Sequence, residues 1–405
     1  MKFNLIKNTK FFSSSYQVLC LSCIFILVFN EVFSVSFLDV SIIKHFARNL
    51  CYLFAAINLI LFIKEKNYFI TYFALASLFI GIMCKNFSTS NEILQFSLLL
   101  LAFSKVNFNK AVFVFIITVG VCTLVIATCA SFQLIDENIY SLRDENIRNA
   151  FGFRHPNCIG AIIFFLIMSI WVYLKDTIKN NIIILITLLL ASCIIVEFID
   201  SRTSLYLSLA ASLIIAFLVL AKKFGIIGRF FSILAYNVVS KWLLRSTFIL
   251  LCVIAFLLGY FYTQDSEIFV YFNDLSSGRL ALSHNAIMNL PITLFGQDLN
   301  LSDLDTFGIS SAQSVSYKHL DSFYLSVLYN LGILSLFVYI LAYDVIMKKA
   351  VLNRDKKLIV TMILFALYGI SESVFNKICF DIFIFLAFAY QYRKLPTNSI
   401  VSRDE

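Results

Sequence analysis

The sequence predicts an all-α, polytopic integral membrane protein. The chain has 405 residues, of which 60% are hydrophobic and 14% are charged, whereas soluble globular proteins have about 45–50% apolar and about 25% charged residues. Its 44 Phe and 19 Tyr are too much apolar surface for a disordered chain. The apolar runs are also continuous, as in residues 182–190, whereas the strands of a transmembrane β-barrel alternate in polarity.

About twelve apolar runs are candidates for transmembrane helices, because a helix needs about 20 apolar residues to cross the hydrocarbon core. The fourth and eleventh runs are short, so eleven or thirteen spans also fit. The first run continues without a small-residue cleavage site, which indicates an uncleaved helix rather than a signal peptide. We therefore expect residues 1–405 to form a single transmembrane domain. The runs lie near residues 16–38, 49–63, 68–84, 93–103, 111–133, 158–174, 182–199, 205–221, 246–262, 321–343, 358–370 and 378–392.

The distribution of charge predicts the orientation. If the N-terminus is cytoplasmic and twelve spans alternate, most of the 32 Lys and Arg fall on the cytoplasmic side and most acidic residues fall on the outer side. The positive-inside rule therefore favours cytoplasmic N- and C-termini, including a cytoplasmic tail at 393–405. The net charge of +8 is then explained by cytoplasmic loops, and we expect no nucleic acid as a partner.

Three connections exceed the length of ordinary loops and are therefore functional candidates. The first is an outer loop, 134–157. The second is a cytoplasmic segment, 222–245, whose apolar and basic residues suggest an amphipathic interfacial helix. The third is a large outer loop, 263–320, between spans nine and ten, whose apolar spacing predicts short helices on the outer face.

The end of the first outer loop carries the first group of candidate substrate-binding residues: Arg148, Asn149, Arg154, His155 and Asn157. Asn157 is a plausible N-cap of the helix that follows, since its side chain can accept a hydrogen bond from a free helix N–H group. An outward-facing helix N-terminus with two arginines beside it makes an anion site. The alternative is that these residues only cap the helix and extend to the membrane interface.

Ser201 and Arg202 form a second group, between two apolar runs at the outer surface. An arginine at such a depth is costly unless it is paired or functional. Either Asp200 or Glu197 pairs with Arg202, or Arg202 faces a cavity that it shares with substrate phosphates.

The large outer loop carries the third group: Arg279, His319, Asp321 and Tyr324. His319 lies at a predicted helix start near the membrane surface, where an imidazole can take a proton from a hydroxyl. A guanidinium offers a fork that suits a pyrophosphate leaving group. The acidic stretch 298–305 lacks the Gly and the closing Glu of a calcium loop, so we expect no metal and no other cofactor.

Taken together, the three groups predict an outward-facing site above an apolar bundle. Its substrate should be anionic and partly lipid, because the site lies at the bilayer surface. Transfer of a sugar from a lipid pyrophosphate fits these requirements: arginines would stabilise the departing pyrophosphate and a base would activate the acceptor hydroxyl.

Four short motifs occur between about residues 140 and 345. They are Arg148-Asn149 with Gly152-Phe153 and His155-Pro156-Asn157, then Ser201-Arg202, then Ser277-Gly278-Arg279 with Pro291 and Leu294-Phe295-Gly296, and finally His319, Ser322 and Tyr324-Leu325 with Asn330-Leu331-Gly332. In this order they resemble segments of the Wzy-type bacterial polysaccharide polymerases, which build O-antigen, capsule and exopolysaccharide, and of the related O-antigen ligases. The distance between Arg279 and Gly296 departs from that of some polymerase outer loops.

The resemblance implies roles for the candidate residues. Arg202 and Arg279 would hold the pyrophosphate of a polyprenyl-linked oligosaccharide, and His319 would act as the base or orient the acceptor. Arg148 and His155 would shape the site of a second lipid-linked substrate. The implied setting is the cytoplasmic membrane of a bacterium, with membrane lipid around the chain and with a chain-length regulator and a flippase as possible partners.

Two alternatives to a polymerase remain open. A ligase would move finished glycan to another acceptor, and the His319 segment fits both enzymes. A transporter or flippase would instead be expected to carry charged residues at mid-membrane and broken helices at matching places in two halves.

Overall fold

The computed structural model describes residues 14–38, 41–88, 90–135, 139–141, 147–224, 238–276, 278–299, 320–374 and 377–389. Helices make up nearly all of the regular structure in these ranges. They are α1 (Ser14–Ser34), α2 (Ser41–Lys64), α3 (Tyr68–Ser88), α4 (Glu92–Ala102), α5 (Phe108–Ser131), α6 (Pro156–Tyr173), α7 (Ile178–Ile194), α8 (Arg202–Phe224), α9 (Val238–Tyr260), α10 (Glu267–Leu275), α11 (Arg279–Asn289), α12 (Phe323–Ser326), α13 (Ile333–Leu352) and α14 (Lys356–Ser371).

Seven helices of the described part are long and apolar enough to cross a membrane: α1, α3, α5, α6, α7 with the turn after it, α8 and α9. Several of them expose large apolar side chains, including Leu124, Leu213 and Trp242, which are about 70% exposed (69%, 73% and 70%). Exposed apolar side chains on an apolar helix are expected where the helix faces lipid. The helical, membrane-embedded class is thus confirmed, whereas the expected count of about twelve spans is not.

The predicted tenth span, 321–343, is broken. The short helix α12 is followed by a π-helical turn, Val327–Leu331, and α13 begins only after Gly332. Gly332 has φ 85° and ψ 167°, a conformation that is essentially restricted to glycine. The chain therefore changes direction at Gly332, and the apolar run does not form one straight helix.

The break at Gly332 is a docking point for the large outer loop. Ile333 N–H donates to Thr293 O at 3.0 Å, and Gln297 N–H donates to Asn330 O at 3.3 Å. A Cβ on Gly296 would overlap the Asn330 carbonyl, and a Cβ on Gly332 would overlap the backbone of residues 294 and 296. Two of the sequence motifs, 294–296 and 330–332, thus contact each other through their backbones.

The predicted last span, 378–392, is not a helix in its described part. Residues 377–389 form turns and one short 3₁₀ turn, Ile384–Leu386. Asp381 Oδ1 accepts a hydrogen bond from Phe383 N–H at 2.7 Å, and such local side-chain bonding competes with helix formation. Nearly all residues of this segment are buried, so its irregular backbone is surrounded by protein.

The loop 134–157, predicted to be on the outer side, contains a small hairpin that the all-α prediction did not include. Strands β1 (Ile139–Ser141) and β2 (Ile147–Asn149) pair antiparallel, with Tyr140 opposite Arg148. The chain after β2 is then tied to the end of α1, since Arg154 N–H donates to Val35 O at 2.9 Å. These contacts fix the backbone of Arg148 just before α6 begins.

The other long connections are described only in part. In the loop 263–320, α10 and α11 are the short helices that the apolar spacing predicts, and residues 300–319 lie outside the described ranges. Of the segment 222–245, which the sequence predicts to be cytoplasmic, α8 accounts for the start and α9 for the end, while 225–237 lie outside them. The tail 393–405 also lies outside them.

Candidate functional site

Four helix termini meet at one place in the structure. They are the starts of α6, α8 and α11 and the end of α14, which Glu372 follows. Their polar side chains, with those of neighbouring turns, are linked by the hydrogen bonds and ion pairs given below. We call these residues the arginine cluster: Arg148, Asn157, Asp200, Arg202, Arg279, Asp321 and Glu372.

Arg279 is held by two carboxylates at once. Its Nε lies 3.0 Å from Asp321 Oδ2, and its Nη2 lies 2.7 Å from Glu372 Oε1. Gly278, with φ 81°, turns the chain immediately before α11 and so sets where this side chain starts. Charge-assisted hydrogen bonds of this length are among the stronger polar contacts in proteins, and they fix both ends of the guanidinium.

Asn157 bridges two parts of the cluster. Its Nδ2 donates to Glu372 Oε1 at 2.9 Å, and its Oδ1 accepts from Arg148 Nη2 at 3.0 Å. The expected N-cap role of Asn157 is wrong, because α6 begins one residue earlier, at Pro156. His155 is the capping residue instead, and its Nδ1 accepts from Asn157 N–H at 3.1 Å.

Arg148 closes the end of α7. That helix finishes in a π-helical turn, Ile195–Ile199, and Asp200 then adopts a left-handed conformation, with φ 48°. The carbonyls of Ile199 and Asp200 accept from Arg148 at 3.3 and 2.8 Å. A cation at the C-terminus of a helix is favoured by the helix dipole and by its free carbonyls.

Asp200 pairs with Arg148 rather than with Arg202. The Asp200 carboxylate lies 3.7 Å from Arg148 Nε, whereas Arg202 Nη1 donates only to the backbone carbonyl of Asp274, at 3.3 Å. Within the described part of the chain, Arg202 forms no ion pair. The sequence hypothesis that Asp200 or Glu197 neutralises Arg202 is therefore wrong, and the half-buried guanidinium of Arg202 has no carboxylate partner in the described ranges.

Ser201 belongs to a chain of hydrogen-bonded hydroxyl groups inside the helix bundle. Its hydroxyl is 2.9 Å from that of Ser204, which is 2.9 Å from the hydroxyl of Tyr368. Gly160 of α6 lies directly against both serines, where any side chain would overlap them. This close approach brings the start of α8 against α6 and so sets the position of Arg202 relative to Asn157.

Burial and the neighbouring charges of the arginine cluster shift the pKa values of Glu372 and Arg148. Burial raises the pKa of Glu372, the nearby Asp321 raises it further, and the charge and hydrogen bond of Arg279 oppose this change. Burial lowers the pKa of Arg148, which the charges of Asp200 and Glu372 oppose, while Arg202 and Arg279 add to the lowering. Arg148 is thus close enough to Arg202 and Arg279 for both to disfavour its charge, which Asp200 and Glu372 favour.

Several predicted site residues are placed differently. Arg154 Nε donates to Ser36 O at 3.0 Å, and Asn149 Oδ1 accepts from Phe151 N–H at 2.7 Å, so both shape the loop before α6. Tyr324 is fully buried and donates to Ala366 O at 2.8 Å, a contact within the helix core rather than with the cluster. His319, the predicted base, lies outside the described residues.

Glu372 is the central residue that the sequence reasoning missed. It joins Arg279 to Asn157, yet it belongs to none of the motifs. Its position in the sequence could have pointed to it. Glu372 follows the apolar run 358–370, at the end that the predicted orientation places on the outer side. In the ranges that the structure describes, His, Cys, Asp and Glu do not group in threes that could hold a metal ion.

No protein-family model matches this chain, and no curated protein sequence matches it significantly.

Proposed function

We propose that the chain polymerises polyprenyl-pyrophosphate-linked oligosaccharide repeat units on the outer face of the cytoplasmic membrane of a bacterium. The observation that carries the proposal is the arginine cluster itself. Three segments far apart in the sequence bring Arg148, Arg202 and Arg279 to one end of a bundle of apolar helices. A site of this kind suits a substrate whose head is a pyrophosphate and whose tail is lipid.

The charge balance of the cluster suggests how a pyrophosphate would enter. Without substrate, Arg148 and Arg279 are neutralised by Asp200, Asp321 and Glu372, whereas Arg202 has no carboxylate partner among the described residues. Arg202 is therefore the first contact for an incoming anion. Arg279 would follow by exchanging one carboxylate for a phosphate oxygen, which preserves its fork of charge-assisted hydrogen bonds.

The transfer step needs a base and a stabilised leaving group. The acceptor hydroxyl oxygen forms a bond to the anomeric carbon of the donor, and the bond from that carbon to the phosphate oxygen breaks. The electron pair leaves with the polyprenyl pyrophosphate, whose charge the arginines stabilise. The hydroxyl proton passes to a base. His319 remains the sequence candidate, and Glu372, whose pKa burial raises, is a second one.

The polymerase proposal is tested by reconstitution of the purified protein in proteoliposomes with a purified lipid-linked repeat unit. Formation of long glycan chains with no other acceptor present would support a polymerase. Transfer only to a different lipid acceptor would identify a ligase instead. If neither product forms but the lipid-linked unit crosses the bilayer, the chain is a flippase and the proposal is wrong.

Complementation of a deletion strain tests the site. Glycan chain length should fall to a single repeat unit in Arg279→Ala and in His319→Ala, with the protein still present in the membrane. Unchanged chain length in both variants would overturn the site assignment. A chain-length regulator and a flippase encoded beside the gene would favour a polymerase over a ligase.

A further inference from the structure

A second site adjoins the arginine cluster along helix α11. A cavity of about 290 Å³ lies between the end of α9 and this helix, near the lower end of the roughly 300–1,000 Å³ of small-molecule sites. We call it the Tyr262 pocket, and its lining side chains are those of Tyr262, Thr263, Gln264, Ala281, His284 and Asn285.

The residue types in the Tyr262 pocket favour an uncharged, hydroxyl-rich ligand. Gln264 and Asn285 each carry an amide that can both donate and accept hydrogen bonds, and Thr263 adds a hydroxyl. Tyr262 supplies an aromatic ring, which can cover an apolar sugar face. The lining contains no Lys, Arg, Asp or Glu among the described residues, so it offers no charge to an anion.

The walls of the pocket are fixed by contacts between α9 and α11. His284 Nδ1 lies 2.9 Å from Gly259 O, and its ring packs edge-on against Tyr262, with centroids 5.7 Å apart. Because a carbonyl oxygen only accepts, Nδ1 carries the proton, and in the neutral ring Nε2 is then an acceptor. The close packing of Ser283 and Ile287 on Gly259 holds the two helices together.

Asp274 links the Tyr262 pocket to the arginine cluster. Its carbonyl accepts from Arg202 at 3.3 Å, while burial, with the charge of Asp274, raises the pKa of Tyr262. Ala281 of the lining lies two residues after Arg279, about 3 Å along the helix axis and about 200° around it. The pocket therefore lies near the same end of α11 as Arg279 but on the opposite face of the helix, and Asp274 connects it to Arg202.

We propose that the Tyr262 pocket binds one uncharged sugar unit of the glycan substrate, across α11 from the Arg279 that would hold its pyrophosphate. This assignment rests on the proposed function for the identity of the whole substrate. The binding of a free sugar, however, can be measured without any transfer reaction. The pocket would then select a sugar one helix diameter, roughly 10 Å, from the pyrophosphate, whereas the arginine cluster would recognise only the pyrophosphate.

The test is saturation-transfer NMR on the full-length protein in nanodiscs, with glucose, galactose, rhamnose and N-acetylglucosamine as separate probes at millimolar concentration. At least one of these sugars should bind. Gln264→Ala and Asn285→Ala should each weaken that binding about 2- to 10-fold, as expected for loss of one or two neutral hydrogen bonds. Asn289→Ala is the matched control, because it removes an exposed amide from the same helix, bonded to the backbone carbonyl of Asn285, and leaves all six lining side chains in place.

Three results would overturn the assignment of the pocket. The first is that no probe binds. The second is that Asn289→Ala weakens sugar binding as much as the pocket variants do. The third is that neither Gln264→Ala nor Asn285→Ala weakens it. Circular dichroism of each variant excludes misfolding as the cause of a loss. The proposed function can fail while the pocket assignment holds. In that case sugar binding depends on the pocket, but the reconstituted wild type forms no glycan product from a lipid-linked repeat unit.

Discussion

Glu372 Oε1 accepts one hydrogen bond from Arg279 and another from Asn157. A single carboxylate oxygen thereby joins the start of α11 to the start of α6, and Asn157 extends the network to Arg148. Asp321 holds the opposite side of the Arg279 guanidinium. All cluster residues except Arg202 therefore form one connected network, and a change at Glu372 reaches Arg279 directly and Arg148 through Asn157.

Stability should depend on the titration of Glu372. Because burial raises its pKa, the native chain keeps the Glu372 proton to a higher pH than the unfolded chain does. Between the ordinary Glu pKa of about 4.3 and the raised native pKa, the native state binds more protons, so the free energy of unfolding falls as pH rises.

Thermal unfolding across this pH range measures the effect. Glu372→Gln cannot titrate, so the difference in Tm, wild type minus variant, should decrease as pH rises through the window. Glu267→Gln is the control, because this exposed carboxylate of α10 meets water in both states. A difference that grows with pH would show that the ion pair with Arg279, and not burial, dominates.

Replacing Arg279 by Lys should impair transfer strongly. The guanidinium reaches Asp321 through Nε and Glu372 through Nη2, and a single ammonium group cannot reproduce this fork. Loss of one charge-assisted hydrogen bond at about 1.5–3 kcal/mol corresponds to a rate reduction of about 10- to 100-fold. The readout is glycan formed per unit time by the reconstituted protein.

Arg245→Lys is the matched control for Arg279→Lys. Arg245 also makes a two-pronged pair, at 2.7 and 2.8 Å, but to the single carboxylate of Asp344, on α13. Its replacement should lower stability to a similar degree without a comparable effect on transfer. Equal rate losses in the two variants would mean that general destabilisation, rather than the site, explains the result.

Comparing Arg148→Ala with Arg202→Ala should distinguish a structural arginine from a functional one. Arg148→Ala leaves Asn157 and two carbonyls at the end of α7 without their donor, at about 1–3 kcal/mol for each buried acceptor left unpaired. Arg202→Ala removes one contact of 3.3 Å and should change stability by about 1 kcal/mol or less.

The comparison of these two variants needs both stability and activity. Arg202→Ala should unfold near the wild-type temperature while glycan formation is abolished, whereas Arg148→Ala should lose stability and activity together. Wild-type activity in a folded Arg202→Ala variant would remove Arg202 from the anion site.

The sequence predicted the elements that depend on composition. Continuous apolar runs predicted helices, and most run positions are helical in the structure. Arg148, Arg202 and Arg279 were singled out because arginine is unusual at the outer ends of apolar runs, and the structure brings all three together. That inference needed only the charge pattern and the order of the runs.

The parts that could not be predicted depend on long-range contacts. Glu372 stands alone after an apolar run, and only the packing of α14 against α6 and the ion pair with Arg279, at the start of α11, show what it binds. The last apolar run is hydrophobic enough for a span, but its buried Asp381 stabilises a turn instead. The N-cap shifted from Asn157 to His155 because Asn157 is engaged by Arg148 and Glu372.

Gly332 provides a test of the docked outer loop. In Gly332→Ala the new Cβ would overlap the backbone of residues 294 and 296, and the left-handed backbone would also be strained. Gly278→Ala shares the positive φ but has open space around its Cβ, so it should cost only about 1–2 kcal/mol. Thermal unfolding in detergent should therefore show a clearly larger fall in Tm for Gly332→Ala. Equal falls in the two variants would mean that the contact between 294–296 and 330–332 contributes little to stability.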